Sequence, residues 1–193
     1  MEKNLEYLFA YYQTLRLHAR GLVVNDLNKR IKTEQEHINW KGITLASITE
    51  EALRFARLEW PRHYMETYQG IEKSWEHLFH SFMNNKPSNF NIAIWQDLKD
   101  KKILRGMALG DCSHGKEHLN IRYIERSHAP DYFRGGVLLP ILAAAEQYAK
   151  LLGCKHICLK GVQNSDEFAK YGYIVYKEGS PSGRCMKKEM SHG

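Results

Sequence analysis

A short stretch between residues 130 and 152 combines residue types that bind phosphate groups. It reads PDYFRGGVLLPILAAAEQYAKLL, in which Arg134 and two adjacent glycines precede an apolar segment with helical spacing. Free amides in the first turn of a helix and the helix dipole bind anions without a side chain. Arg134 can add a charge-assisted contact. The sequence therefore predicts a phosphate or pyrophosphate site, formed by Arg134, Gly135, Gly136 and Val137.

Two side chains that can accept a proton lie just before this stretch. The predicted strand over residues 118–127 (HLNIRYIERS) carries Glu125 near its end, and His128 follows it. Histidine titrates near neutral pH, and a carboxylate becomes a better base when burial raises its pKa. Either side chain is a candidate general base. The alternatives are a surface ion pair for Glu125 and a capping role in the loop for His128.

The other motifs that could carry chemistry give weaker signals. His114, Glu117 and His118 have the order of a zinc-binding motif that requires both histidines on one helical face. Gly115 indicates a hairpin turn at this position, so we expect no metal site. The four cysteines, at 112, 154, 158 and 185, lack paired CxxC spacing and are predicted to be free thiols.

The composition is that of a soluble globular protein. The chain has 193 residues, 43% of them hydrophobic and 26% charged, and a net charge of +6. The longest apolar run, over residues 137–145, is far shorter than the ~20 residues of a membrane span. Because no signal peptide is recognisable, we expect a cytoplasmic protein without a membrane partner. The positive charge suits an anionic ligand such as a nucleotide-containing cofactor, or nucleic acid.

The first part of the chain is predicted to be mostly helical. Residues 3–34 carry apolar side chains at helical spacing, with a break or bend expected at Gly21. This helix either packs on the main domain or forms a dimer interface. A strand is predicted over 42–48. A helix follows it, and the capping-box spacing of Ser47 and Glu50 indicates where this helix begins. A second helix is predicted from the spacing of Tyr68, Ile71, Trp75, Leu78 and Phe82, whose aromatic stripe we assign to the core.

The sequence pattern in the second part of the chain predicts a sheet with crossover helices. The fold class is therefore α/β (α+β), with a mixed, mostly antiparallel central sheet flanked by helices. Three antiparallel strands are expected over 90–96, 103–111 and 118–127, then a helix over 136–152 that ends at Gly153, a strand over 155–162, a short helix begun by Asn164 or Ser165, and strands over 173–178 and 184–190.

This order of elements resembles the GCN5-related N-acetyltransferase (GNAT) superfamily over residues 42–190. The family's cofactor loop, Q/R-x-x-G-x-G/A, lies between a strand and a helix, and Pro130 and Gly136 fall in register with it. Asn164 and the run from Phe168 to Tyr173 resemble a second cofactor-side motif. The chain departs from the family at Phe133, Leu138 and Phe168.

The helical pattern predicts an N-terminal helical extension over residues 1–40, which lies outside the resemblance. The resemblance implies a GNAT-like acyltransferase domain over 41–193. It implies acetyl-CoA as cosubstrate, with the loop residues holding its pyrophosphate and Asn164 near its pantetheine. An amine would attack the thioester directly, with Glu125 or His128 as base. Phe168 occupies the family's general-acid position, and Tyr171 is the candidate substitute.

The resemblance leaves the amine acceptor open among small molecules, proteins and nucleic acids. Two other hypotheses keep the fold. One is a GNAT-like protein that binds or modifies nucleic acid, to which the net charge of +6 is suited. The other is a non-catalytic module that has lost coenzyme A and assembles as a homodimer through its N-terminal helix.

Overall fold

The computed structural model describes residues 2–31, 42–68, 70–84, 86–129, 136–177 and 183–191. Its helices are α1 (Glu2–Ile31), α2 (Glu50–Glu59), α3 (Trp75–Met83), α4 (Leu138–Leu152) and α5 (Ser165–Ala169), with a 3₁₀ turn over Trp60–His63 after α2. Its strands are β1 (Ile43–Ala46), β2 (Phe90–Asp97), β3 (Lys102–Cys112), β4 (His118–Arg126), β5 (His156–Val162), β6 (Ile174–Lys177) and β7 (Arg184–Glu189).

The strands form one mixed sheet in the order β1-β2-β3-β4-β5-β7-β6. Within the described residues β4 and β5 are the parallel pair, joined by the crossover through α4, and the other neighbours are antiparallel. This confirms the predicted fold class. The three predicted antiparallel strands are β2, β3 and β4, and Gly153 ends α4 in the left-handed conformation with a φ of 76°.

Both faces of the sheet are covered by helices. Strand β2 shows the division, because Ile92 and Ile94 belong to the apolar cluster under α1 and α4, whereas Ala93 and Trp95 belong to the cluster under α2 and α3. A strand buried on both faces needs apolar side chains at consecutive positions rather than in alternation. The two clusters define the α1/α4 face and the α2/α3 face of the sheet.

Helix α1 is continuous from Glu2 to Ile31, so the predicted break at Gly21 is wrong. A Cβ at Gly21 would meet no atom within 4 Å, which shows that this position faces away from the protein. Glycine costs about 1 kcal/mol in a helix. Burial of Ala19, Val23 and Leu27 in the α1/α4 cluster outweighs that cost.

Arg16 fastens α1 to the rest of the chain. Its side chain is buried and its Nη1 donates hydrogen bonds to the carbonyl oxygens of Pro87, at 2.7 Å, and Asn89, at 2.8 Å. Arg20, one turn along, donates to the Ser47 hydroxyl at 3.1 Å. The helical extension therefore shares the core of the main domain. The predicted domain boundary at residue 40 lies outside the described residues and stays a prediction.

Two helix starts differ from those predicted. Thr49, not Ser47, caps α2 by accepting a hydrogen bond from the Ala52 amide, because the Ser47 hydroxyl is engaged by α1. Helix α3 begins at Trp75 after a Ser74 cap, so Tyr68 and Ile71 precede it rather than belonging to it. None of the helices in the described part of the chain is long and apolar enough to cross a membrane.

Substituting Arg16 by Ala should destabilise the protein by about 2–4 kcal/mol, because the buried carbonyl of Asn89 and the partly buried carbonyl of Pro87 lose a charged donor. Urea unfolding followed by circular dichroism measures the change. Arg54→Ala, at an exposed position of α2, is the control and should lie within about 0.5 kcal/mol of the wild type. Equal midpoints for the Arg16 variant and the control would refute this role of Arg16.

Candidate active site

A β-bulge in β4 determines where Glu125 points. Leu109 of β3 pairs with Tyr123, but the next residue, Gly110, pairs with Ile121, so Arg122 is the extra residue of β4. Before the bulge, Ile121 faces the α1/α4 side, and after it Tyr123 lies on the α2/α3 side. A bulge shifts the alternation of side chains by one position. Glu125 is consequently turned toward α2 and α3.

The Glu125 carboxylate is 2% exposed and is satisfied by aromatic donors. The Tyr64 hydroxyl donates to Oε1 at 3.0 Å, and the indole Nε1–H of Trp75 donates to Oε2. The Tyr68 hydroxyl also favours the ionised carboxylate, since it lowers the pKa of Glu125 as those two groups do. A buried ionised group must be hydrogen-bonded to be tolerated. The two hydroxyls and the indole supply this compensation without a salt bridge to any described residue.

These donors come from the segment that joins α2 to α3. Pro61 lies at the start of the 3₁₀ turn that ends α2, and Tyr64 and Tyr68 follow it. Their rings meet edge to face, with centroids 5.7 Å apart. Sequence reasoning placed the aromatic stripe of this region in the core and missed its contact with Glu125. The available signal was Gly70, which interrupts the stripe and argues against one helix from Tyr68 onward.

Burial raises the pKa of Glu125 above its ordinary value, and the hydrogen bonds from Trp75, Tyr64 and Tyr68 oppose that shift. The pKa of each tyrosine hydroxyl is raised by burial and by the neighbouring carboxylate, so both remain donors at neutral pH. Glu125 therefore combines a basicity above that of an exposed carboxylate with a fixed orientation. These are the properties of a general base.

His128 lies beside the same group of residues. Its ring stacks on that of Tyr68, with centroids 4.8 Å apart and planes at 28°. Burial, and then the charge of Arg126, lowers the pKa of His128, which favours the neutral imidazole. The structure thus brings the two predicted bases together, with Tyr68 contacting both.

The end of β4 also lies next to the start of α4. The pairing of β4 with β5 ends at Ile121 and Leu159, although β4 continues to Arg126. A Cβ at Gly106 of β3 would clash with Cγ1 of Val137 and lie 3.1 Å from the carbonyl oxygen of Glu125. Glycine at this position allows the helix start to approach the strand that carries the candidate base.

The predicted phosphate loop is described only in part. Arg134 and Gly135 lie outside the described residues, whereas Gly136 is buried. Val137 is the N-cap residue of α4, its side chain is buried in the α1/α4 cluster, and no side chain caps the helix. The first-turn amides of α4 therefore have no side-chain acceptor among the described residues, as an anion site at a helix start requires.

The remaining predicted residues lie on other elements. Asn164 caps α5, its Oδ1 accepting from the Asp166 amide at 3.2 Å, which confirms that alternative for this residue. Tyr171 is half-buried and packs, like Phe168, against the α1/α4 cluster, on the opposite face of the sheet from Glu125. Leu138 packs against the same cluster. Tyr171 as general acid and Asn164 as a cofactor contact stay predictions.

The zinc-like motif does not converge. His114 lies in the turn between β3 and β4, His118 begins β4, and Glu117 pairs with Lys155 at 2.9 Å. The described residues contain no cluster of three metal-ligating side chains. All four cysteines are free thiols, as predicted.

Several solved structures that superpose on this chain are N-acetyltransferases. The ribosomal-protein-S18-alanine N-acetyltransferase from Escherichia coli superposes with a TM-score of 0.55 and 16% identity, over 78% of this chain and 96% of that chain. An aminoglycoside 6'-acetyltransferase type Ii gives a TM-score of 0.52 and 15% identity, over 78% and 99%. A PaiA N-acetyltransferase from Thermoplasma acidophilum, in complex with coenzyme A, gives 0.50 and 20%, over 76% and 98%.

The chain therefore has the GNAT fold, and the resemblance seen in its sequence is confirmed at this level. No protein-family model matches the sequence, and no curated protein matches it either. The GNAT-like part accounts for about three quarters of the chain in these superpositions.

Trp75→Phe should destabilise the protein in a pH-dependent manner. The native pKa of Glu125 is raised, so its contribution to stability is present at low pH and is lost as the pH rises through that pKa. Loss of the indole donor raises this pKa further. The added loss should be about 1.5–3 kcal/mol at pH 8 and should shrink as the pH falls.

Trp60→Phe is the matched control, because Nε1 of Trp60 donates to the uncharged carbonyl of Leu104 at 3.2 Å. Urea unfolding of both variants between pH 5 and pH 8 measures the difference. A pH-independent loss in both variants would show that the indole of Trp75 does not stabilise an ionised Glu125.

Proposed function

We propose that the protein is an acetyl-CoA-dependent N-acetyltransferase that transfers an acetyl group to an amine. The observation that carries this proposal is the buried carboxylate of Glu125 at the end of β4, hydrogen-bonded by Tyr64 and Trp75, on a GNAT fold. Acetyl-CoA supplies the acetyl group as a thioester, which the amine attacks directly.

Glu125 removes the proton that the amine must lose. An ammonium group has no lone pair, so its proton has to leave before the nitrogen can act as a nucleophile. The proton passes to the Glu125 carboxylate, whose raised pKa makes it a stronger acceptor than an exposed glutamate. His128, neutral and stacked on Tyr68, is the second candidate for this role.

The start of α4 holds the pyrophosphate of coenzyme A. Arg134 supplies positive charge, and the backbones of Gly135, Gly136 and Val137 supply amides. The absence of a side-chain cap on α4 supports this assignment among the described residues. Asn164 would contact the pantetheine, and Tyr171 would supply a proton to the departing thiolate.

Neither of the two other hypotheses accounts for the buried carboxylate of Glu125. The assembly module was motivated by the departures from the family at Leu138 and Phe168, and it would act through α1. One face of this helix is used within the chain, since Tyr12, Ala19 and Val23 belong to the core shared with α4. Its other face exposes large apolar side chains, among them Tyr7 and Leu17. Binding of nucleic acid rests on net charge alone.

Arg134→Ala should weaken the binding of acetyl-CoA by about tenfold or more, because a charge-assisted contact with phosphate is lost. Isothermal titration calorimetry of both proteins measures the difference, with Arg62→Ala, an exposed residue that pairs with Glu59, as the control. Failure of the wild type to bind acetyl-CoA at high micromolar concentration would refute the proposed function.

Glu125→Gln should lower kcat/KM by about 10²–10⁴ fold while leaving acetyl-CoA binding unchanged, because a general base is lost. Release of the coenzyme A thiol measures turnover with a panel of amines: a peptide with an N-terminal alanine, a lysine peptide and an aminoglycoside. In the wild type, kcat/KM should rise with pH through the raised pKa of Glu125, since the ionised form is the base.

Glu117→Gln, at an exposed position outside the site, is the control for this substitution. His128→Gln tests the second candidate base with the same assay. Full activity of the Glu125 variant would remove Glu125 from the mechanism, and a large loss in the His128 variant alone would assign the role to His128.

A further inference from the structure

Gly70 lies against the tyrosine that contacts the candidate base. A Cβ at this position would lie 2.7 Å from the hydroxyl oxygen of Tyr64 and 2.9 Å from two of its ring carbons. Gly70 also has a φ of +88°, which side chains rarely adopt. Any other residue would have to displace the Tyr64 ring or shift the backbone. The Tyr64 ring can therefore occupy its observed position only because residue 70 has no side chain.

The displaced atom would be the one that serves the carboxylate. The Tyr64 hydroxyl is 3.0 Å from Oε1 of Glu125, so a small movement of the ring breaks this hydrogen bond. Trp75 donates a hydrogen bond to the other carboxylate oxygen, Oε2. It lies on α3, a separate element that begins after Gly70 in the chain. The contact of Gly70 with Tyr64 thus acts on one of the three donors.

We propose that Gly70 is a positioning residue, which seats the Tyr64 hydroxyl on Glu125 and so holds the carboxylate in its ionised, proton-accepting form. This inference rests on the proposed function, because the role of Glu125 as base gives the ionised form its importance. Burial alone favours the protonated carboxyl, and a hydrogen-bond donor shifts the balance toward the carboxylate.

The other groups around Glu125 are accounted for. Trp75 and Met107, which pairs with Glu125 across the strands, do not titrate. The groups able to carry charge that contact the carboxylate or its tyrosine partners are Tyr64, Tyr68, Arg126 and His128. Arg126 acts on Tyr68, whereas the His128 ring meets both tyrosine rings, with centroids 4.8 Å from Tyr68 and 6.4 Å from Tyr64. Tyr64→Phe keeps the ring that His128 contacts and removes only the hydroxyl, so its effect is that of the hydrogen bond to Glu125.

A double-mutant cycle tests the inference. Tyr64→Phe removes the hydroxyl without a clash, Gly70→Ala introduces the clash, and the third variant carries both. The pKa of Glu125 is read from the ¹³C resonance of its labelled side-chain carboxyl, with Glu125→Gln to assign the signal. Gly153→Ala is the control, because Gly153 also has a positive φ, of 76°, and a Cβ at that position meets no atom within 4 Å.

Tyr64→Phe and Gly70→Ala should each raise the pKa of Glu125 by about one unit, and the double variant should raise it no further than Tyr64→Phe alone. The rising limb of kcat/KM against pH should move by the same amount. Additive shifts, or an unchanged pKa in Gly70→Ala, would overturn the inference. If Gly70→Ala does not fold, Gly70→Asn takes its place with the same two outcomes, because asparagine adopts a positive φ more readily and introduces the same Cβ.

The carboxyl resonance is measured without substrates, so the result does not depend on turnover. A protein that shows the expected pKa shifts but does not bind acetyl-CoA would refute the proposed function and retain the contact of Gly70 with Tyr64. A protein that acetylates amines and loses activity in Glu125→Gln, but shows no pKa shift of Glu125 in Gly70→Ala, would retain the proposed function. That result would refute the role of Gly70.

Discussion

The burial of one carboxylate constrains the arrangement of the α2/α3 face. A charged group that is 2% exposed must be compensated by donors in fixed positions, and those of Glu125 come from Tyr64, Tyr68 and Trp75. Tyr64 and Tyr68 precede Glu125 by more than fifty positions, and Trp75 precedes it by 50. The path of the segment between α2 and α3 is therefore tied to a strand far from it in sequence.

The two faces of the sheet would contribute different parts of the proposed site. The α2/α3 face carries the carboxylate and its donors, whereas the α1/α4 face carries the start of α4 and is reinforced by the buried Arg16. The start of α4 and the end of β4 lie close together at Gly106, which contacts both the side chain of Val137 and the carbonyl of Glu125. Groups from opposite sides of the sheet can in this way serve one reaction.

Local patterns in the sequence predicted most of the elements and the position of Glu125. Short runs of strand-forming residues separated by polar turns predicted β2, β3 and β4, and the glycine after α4 predicted its end. The break at Gly21 was wrong because tertiary burial along α1 outweighs one weak residue. The aromatic partners of Glu125 were missed because hydrogen bonds across 50 and 61 residues leave no periodic signal.

The bulge at Arg122 makes the pairing register of β4 as important as the identity of its residues. Residues before and after it face opposite sides of the sheet, so Ile121 and Glu125 can both be buried, each in its own layer. If Arg122 were instead paired with Leu109 in a regular ladder, Tyr123 would lie on the same face as Ile121. Glu125 would then turn toward α4, away from the donors on the α2/α3 face.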